Sequence, residues 1–258
     1  MARLIWAVSD DLTHDDFLGG RLRIWQPRKG YRAGVDPVIL AASVAAKPGQ
    51  SVLELGCGVG VASLCLSTRV SNIKVTGVEL QPEYAELAQR NGKDNGLPFD
   101  VVTADLRNLP GTLRQQRFDH VIMNPPYFDR AAGTSSDDAG KDIAFGGDTP
   151  LQAWLDIGAR RVGPRGYLTL IQRMERLPEV LAGLQGRLGA FVVRPIAGRP
   201  NRAPELFLLQ ARQEGKTAFR MAPTQIMHEG DSHKGDQESY RAEVAAALRN
   251  GAELPILP

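Results

Sequence analysis

At 258 residues the chain is long for one small domain and short for two, so one domain with appendages is expected. Hydrophobic residues at 43%, charged residues at 23% and a net charge of +2 describe a chain that buries a core and is too neutral to name a nucleic-acid partner by charge alone. Apolar runs fall short of the roughly 20 residues of a membrane helix, Met1–Trp6 leads straight into the acidic stretch Asp10–Asp16, and the spacing of Cys57 and Cys65 suits neither a disulfide framework nor a metal; a soluble, unexported protein of the reducing cytoplasm, without metal or membrane, is the expectation.

Phe17 to Arg32 alternates with glycine breaks like a hairpin, and Pro37 to Ala46 is helical. From Ser51 the punctuation becomes regular. Ser51–Leu55 reads as a strand, Gly56-Cys57-Gly58-Val59-Gly60 as a turn and Val61–Thr68 as a helix. Lys74–Leu80 is a second strand, after which Pro82 opens a helix that ends before Gly96. Phe99–Ala104 is a third strand ending at Asp105-Leu106, and Phe118–Met123 a fourth that runs into Asn124-Pro125-Pro126-Tyr127. Residues 129 to 148 are rich in glycine, serine and aspartate and lack periodicity, the mark of a functional loop. Leu151–Val162 reads as a helix, Gly166–Gln172 as a strand and Glu175–Leu188 as a helix. Ala190–Ile196 and Glu205–Ala211 are strands with only a short link, hence antiparallel. Met221–Lys234 is irregular, and Glu238–Arg249 is a last amphipathic helix.

Alternation of strand and helix predicts an α/β fold: a doubly wound, mostly parallel sheet of seven strands, with a closing hairpin that adds one antiparallel strand near the edge. The expected organisation is an N-terminal hairpin and helix over 1–50, the sheet domain over 51–213 and a tail with one helix over 214–258.

Chemistry concentrates at the strand ends, where such sheets bind cofactors. Glu54-Leu55-Gly56-Cys57-Gly58-Val59-Gly60 lets backbone approach a ligand and offers a helix N-terminus to negative charge. Glu79, at the end of the second strand, suits the two hydroxyls of a ribose, and Asp105, at the end of the third, suits either an adenine amino group or a turn cap. Those features alone fit a dinucleotide or S-adenosylmethionine equally. Asn124-Pro125-Pro126-Tyr127 separates the two. Prolines stiffen the backbone and lack N–H groups, so the Pro125 carbonyl and the Asn124 side-chain oxygen form a rigid pair of acceptors for a planar amine. Such a pair draws the nitrogen lone pair out of conjugation and aims it at a methyl donor. Tyr127 is placed to stack on the group that bears the amine.

With these residues the chain resembles the amino-methyltransferases that carry an Asn-Pro-Pro-Tyr motif, over roughly Phe17 to Leu209. Phe17-Leu18-Gly19-Gly20, Gly30-Tyr31-Arg32-Ala33-Gly34-Val35-Asp36 and Asn124–Phe128 look most like the bacterial tRNA methyltransferases acting on the adenine 6-amino group in the anticodon loop of a valine tRNA. The resemblance implies the class I methyltransferase fold, S-adenosylmethionine as donor, Asn124, Pro125, Pro126 and Tyr127 as the amine site, and Glu54, Gly56, Gly58, Glu79, Leu80, Asp105, Leu106 and Asn124 as cofactor contacts. It also puts Gly34 and Asp36 near the cofactor. The motif fixes the reaction rather than the substrate, since protein-glutamine and guanine amino-methyltransferases share it. About 50 residues precede the glycine turn, too few for the helical domain of the glutamine enzymes, and the tail is too short for the extra domain that duplex readers use. An RNA loop, already unstacked, needs less protein. Arg21, Arg23, Arg28, Lys29 and Arg32, interleaved with Trp25 and Tyr31, are either a basic strip for RNA phosphates or the solvated face of a hairpin. A nicotinamide-dependent oxidoreductase, which would need a second domain for its substrate, and a non-catalytic RNA-binding protein are the rivals from other classes.

Overall fold

The structure, a computed structural model, describes residues 11–127, 149–232 and 239–257. The loop 129–148, Phe128 and His233 lie outside them.

Eleven strands and seven α-helices follow one another in the described residues. An antiparallel hairpin, β1 (Leu12–Phe17) and β2 (Leu22–Pro27), precedes α1 (Asp36–Ser43). Then come β3 (Ser51–Leu55), α2 (Val61–Arg69), β4 (Lys74–Glu79), α3 (Pro82–Asp94), β5 (Asp100–Thr103), α4 (Gly111–Gln115) and β6 (Phe118–Met123). After the loop follow α5 (Leu151–Arg161), β7 (Val162–Arg173), α6 (Leu177–Leu184), β8 (Gly189–Ala197), β9 (Leu206–Arg212), the two-residue strands β10 (Arg220–Met221) and β11 (Gln225–Ile226), and α7 (Ala242–Asn250). The main sheet runs β10-β8-β9-β7-β6-β3-β4-β5, with β11 also on β8. Every pairing is parallel except those of β9, which is antiparallel to both β7 and β8. The seven expected strands and the antiparallel closing hairpin are present. The antiparallel strand β9 sits inside the sheet, one strand in from the expected edge, because it inserts between β7 and β8, and the tail adds β10 and β11 on the far side of β8.

Period-two alternation distributes the strand residues between two cores. Val52, Ile122, Ile171 and Leu208 face the hairpin, α1, α2 and α7. Leu53, Val121, Met123 and Leu170 face α5 and α6. Parallel strands covered on both sides read as continuous apolar runs, as Ser51–Leu55 and Val121–Met123 do. The C-terminal ends of the mutually parallel strands lie on one rim, which carries Leu55, Glu79, Met123 and Arg173, while antiparallel β9 brings its N-terminal end, Leu206, to it.

The hairpin is displaced from its expected place. Its first strand is Leu12–Phe17, read from sequence as an acidic stretch, because Asp15 is neutralised by Arg32 at 2.6 Å and the exposed Asp16 by Arg23 at 3.1 Å. Asn91 of α3 and Asn95, which caps its C-terminus, occupy the outer edge of β2. Asn91 accepts from the Trp25 N–H at 2.8 Å and donates to the Trp25 carbonyl at 3.1 Å. Asn95 does the same for Arg23, at 3.0 and 2.7 Å. Both lie on the α3 face that buries Tyr84, Leu87 and Ala88, the i, i+3, i+4 stripe of an amphipathic helix. Asn91 also donates to the Val59 carbonyl at 2.9 Å, which ties the hairpin to the glycine turn.

Candidate active site

A cleft opens at the rim where β3, β4 and β6 end, lined by the glycine turn, Glu79 and Asn124. Its floor is the glycine turn. Gly56, Gly58 and Gly60 have φ of 66°, 54° and 90°, which L side chains rarely adopt. A Cβ on Gly56 would fall 2.3 Å from the Trp154 ring, so the turn and the indole fit only because this residue has no side chain.

Glu79 closes one side. It is 7% exposed, and its two oxygens accept from the backbone N–H groups of Gly58 and Gln81, each at 2.9 Å. Burial raises its pKa above the usual glutamate value, against the pull of these bonds and one from Leu80. Glu54, 3% exposed, lies beneath the turn, where one oxygen accepts from the backbone N–H of Ser63 at 3.0 Å and from its hydroxyl. Burial dominates and pushes its pKa up to about 8, with the Glu79 charge adding to the rise. Among the described residues neither carboxyl has a cationic partner within ion-pair distance. Two buried acids without a counter-charge suit a ligand that brings its own positive charge.

Leu80, Leu106 and Asp105 line the same cleft. Asp105 also caps the turn that follows it, accepting from the Arg107 backbone at 2.8 Å and its guanidinium at 2.7 Å. That bonding holds its pKa low, so the cap and cleft roles coincide on one residue. Tyr31, Pro37, Tyr84 and Trp154 complete the walls. Tyr84 takes the Tyr31 N–H at 3.0 Å and returns its hydroxyl to the Tyr31 carbonyl at 3.3 Å.

The motif after β6 forms the opposite lip. Asn124 and Pro126 line the cleft. The Asn124 side-chain oxygen is buried and lacks a hydrogen-bond partner among the described residues. Gln172, fully buried at the end of β7, donates its amide to the Pro125 carbonyl at 3.3 Å and the Pro126 carbonyl at 3.5 Å. The Pro125 carbonyl is thus not wholly free, as the sequence suggests, and keeps one lone pair for a ligand. Tyr127 donates its hydroxyl to Asp36 at 2.6 Å, and the Arg173 guanidinium lies 5.8 Å from its ring centre. Burial, then Asp36, raises the Tyr127 pKa, so the hydroxyl stays protonated and the ring is what remains for stacking.

Some expected contacts fall elsewhere. Asp36 holds Tyr127 and lines a neighbouring cavity, and neither it nor Gly34 is among the residues lining the cleft. The basic strip is largely engaged internally: Arg21 donates to the Asn250 carbonyl, Arg23 pairs with Asp16, and Arg32 bonds Thr13, Pro27 and Asp15. Trp25 is flanked by His14, stacked at 4.0 Å, and by Arg90 at 4.1 Å, which occupies the ring faces a base would use. Tyr31 is turned into the cleft. Arg28 and Lys29 remain exposed. Trp154, read from sequence as core, is both core and cleft wall. Tyr31, Tyr84 and Gln172 reach the site through contacts 47 to 53 residues away in sequence, which leave no local signal.

A sequence model of the methyltransferase domain matches residues 52–133. The tRNA1(Val) (adenine(37)-N6)-methyltransferase of Porphyromonas gingivalis is 29% identical over 232 residues, covering 83% of this chain and 88% of that protein. The enzyme of the same name from Shewanella baltica OS185 is 32% identical over 163 residues, 60% of this chain and 67% of its own length. The chain belongs to this family. Its fold is shared by a predicted O-methyltransferase of Agrobacterium tumefaciens, with TM-score 0.69 and 24% identity over 85% of this chain and 98% of that one. A Thermus thermophilus 16S rRNA N2 methyltransferase, solved with S-adenosylmethionine and guanosine, has TM-score 0.55 and 21% identity over 78% and 50%. The protein is an S-adenosylmethionine-dependent N-methyltransferase.

Proposed function

We propose that this protein acts in the cytoplasm and methylates the 6-amino group of adenine in the anticodon loop of a valine tRNA; the relatives are named for N6-methylation of adenine 37 in tRNA1(Val). The observation that carries the reading is the Asn124 oxygen, a buried acceptor without a donor among the described residues, beside the cleft at the strand ends. A buried polar atom left unpaired is destabilising, and an amine hydrogen arriving with the substrate satisfies it. Asn124 takes one amine hydrogen, the remaining lone pair of the Pro125 carbonyl takes the other, and Gln172 fixes that carbonyl from behind. Tyr127, oriented by Asp36, presents its ring to the base. S-adenosylmethionine supplies the methyl carbon on its sulfonium. With the donor bound, the nitrogen held by Asn124 and the Pro125 carbonyl would take the methyl as the carbon–sulfur bond breaks, S-adenosylhomocysteine would leave with the electron pair, and the extra proton would go to water. Glu79 holds the ribose hydroxyls, with Gly56, Gly58, Leu80, Asp105 and Leu106 around the nucleoside and Glu54 beneath the turn. Lys29, exposed beyond the end of β2, is placed to meet RNA phosphates.

Transfer of labelled methyl to an anticodon stem-loop tests this. Label should enter RNA with adenine at position 37 and be absent when inosine, which lacks the amine, replaces it. Label incorporated equally into the inosine RNA, or only into a glutamine peptide, would overturn the proposal.

A further inference from the structure

Next to the amine site the rim holds a second, open cavity, whose wall includes Asp36, the residue that bonds Tyr127. We propose that this cavity receives the base of a nucleotide adjacent to the methylated adenine. The proposal rests on the reading that the substrate is an RNA loop, and it adds a binding site to that reading.

The walls have the chemistry of a base pocket. Ile171, Ile196 and Leu206 are aliphatic, and His228 and Tyr240 lie together with ring centres 4.4 Å apart and planes at 22°. This aromatic pair is built rather than incidental: residues 228 and 240 form an antiparallel bridge, the His228 ring nitrogen shares a hydrogen with the Ser239 hydroxyl at 3.2 Å, and Arg241 donates to the Met227 carbonyl at 2.9 Å. The carboxylates of Asp36 and Glu205 are acceptors on the same walls, matched to the amino and imino donors of base edges. Single-stranded RNA is recognised by this combination of stacking surface and edge acceptors.

Charge points the same way. The link between β8 and β9 runs from Gly198 to Glu205, both on the cavity wall, and carries Arg199 and the exposed Arg202. Arg199 anchors the link to the tail by donating to the Glu229 and Gly230 carbonyls at 2.6 and 3.1 Å. Arg173 ends β7 beside Tyr127. A phosphate between the amine site and the cavity would thus run past arginines. Drawing the target adenine out of the loop leaves its neighbour without a stacking partner, and the cavity offers a replacement.

The test uses the wild-type enzyme and anticodon stem-loops in which the nucleotide on one side of the target, then the other, is abasic. One abasic RNA should show an apparent KM raised about tenfold, the loss expected for one stacked base, with the single-turnover rate at saturation retained. Leu206→Trp, which fills the cavity, should raise the KM of intact RNA similarly and make the enzyme indifferent to that abasic site, with S-adenosylhomocysteine affinity unchanged. Wild-type KM for both abasic RNAs would overturn the proposal while leaving the function standing. No transfer to intact stem-loop would overturn the function, and this site with it.

Discussion

Replacing Asn124 by alanine should move activity and stability in opposite senses. The side-chain oxygen is buried and unpaired among the described residues, so its removal recovers part of the roughly 1–3 kcal/mol of desolvation that an unsatisfied group costs. The truncated atoms border an open cleft, where water fills the space, so the cavity penalty of a sealed core does not apply. Net stability should therefore be unchanged or raised by up to about 2 kcal/mol, a gain in Tm of at most about 8 °C at the usual 2–4 °C per kcal/mol for a chain of this size. The reaction loses an acceptor that binds the amine most strongly as nitrogen pyramidalises. Deleting one preorganised polar contact of this type lowers turnover by about 100- to 1,000-fold, with cofactor and RNA affinities within a few-fold of wild type. Calorimetric unfolding reads the first quantity, and single-turnover transfer of labelled methyl under saturating conditions reads the second. Asn124→Asp, which keeps an acceptor, should retain more activity than the alanine variant. An alanine variant that is less stable by more than about 1 kcal/mol yet reacts at the wild-type rate would show that the oxygen is structural and that the amine is activated by another group.

Gln172→Glu should give a turnover number that rises as pH falls, because only the protonated acid can donate to the Pro125 and Pro126 carbonyls; Gln172→Leu should lose activity without that pH dependence, and superimposable profiles would refute the role. Glu54 has its pKa raised from 4.5 to about 8, so the folded state binds its proton more tightly and stability falls as pH rises through that window. Relative to Glu54→Gln, the wild type should lose several kcal/mol of unfolding free energy between pH 5 and 8, roughly 5 at the limit, and denaturant titrations with a constant difference would contradict the assignment. Gly56→Ala should destabilise by about 2–5 kcal/mol, combining left-handed strain with overpacking against Trp154. Adding Trp154→Ala should return the overpacking part, as read by the melting temperature of the double variant.

The strands and the glycine turn were legible because parallel strands buried on both faces are short apolar runs punctuated at their ends, and Glu79 and Asn124 stand at such ends. Leu12–Phe17 was not, since His14, Asp15 and Asp16 make it look like a solvated stretch until Arg32 and Arg23 pair with the acids. The two-residue strands at Arg220 and Gln225 are too short for any periodicity and exist through their pairing with β8. Within the site, residues at strand ends could be placed by counting. Trp154 could not, because a helix residue that packs against a glycine turn has the pattern of core. Asp36 lies 91 residues from its partner Tyr127, and only the fold reveals that it serves the amine lip. The same limit applied to the arginines of the hairpin, whose charges are visible in sequence and whose partners are not.

The asparagine clasp on β2 bears on how the protein behaves in concentrated solution. A two-stranded hairpin standing apart from the main sheet has open edges that invite pairing with another molecule. Along β2 the amides of Asn91 and Asn95 take up the N–H and C=O groups of Arg23 and Trp25, so that edge offers no template to a passing chain, and β1 carries the paired charges of Asp15 and Asp16. Because Asn91 also holds the Val59 carbonyl, a lesion at this one amide would both uncover a sticky strand and slacken the loop beneath the cofactor, coupling self-association to loss of the methyl-donor site.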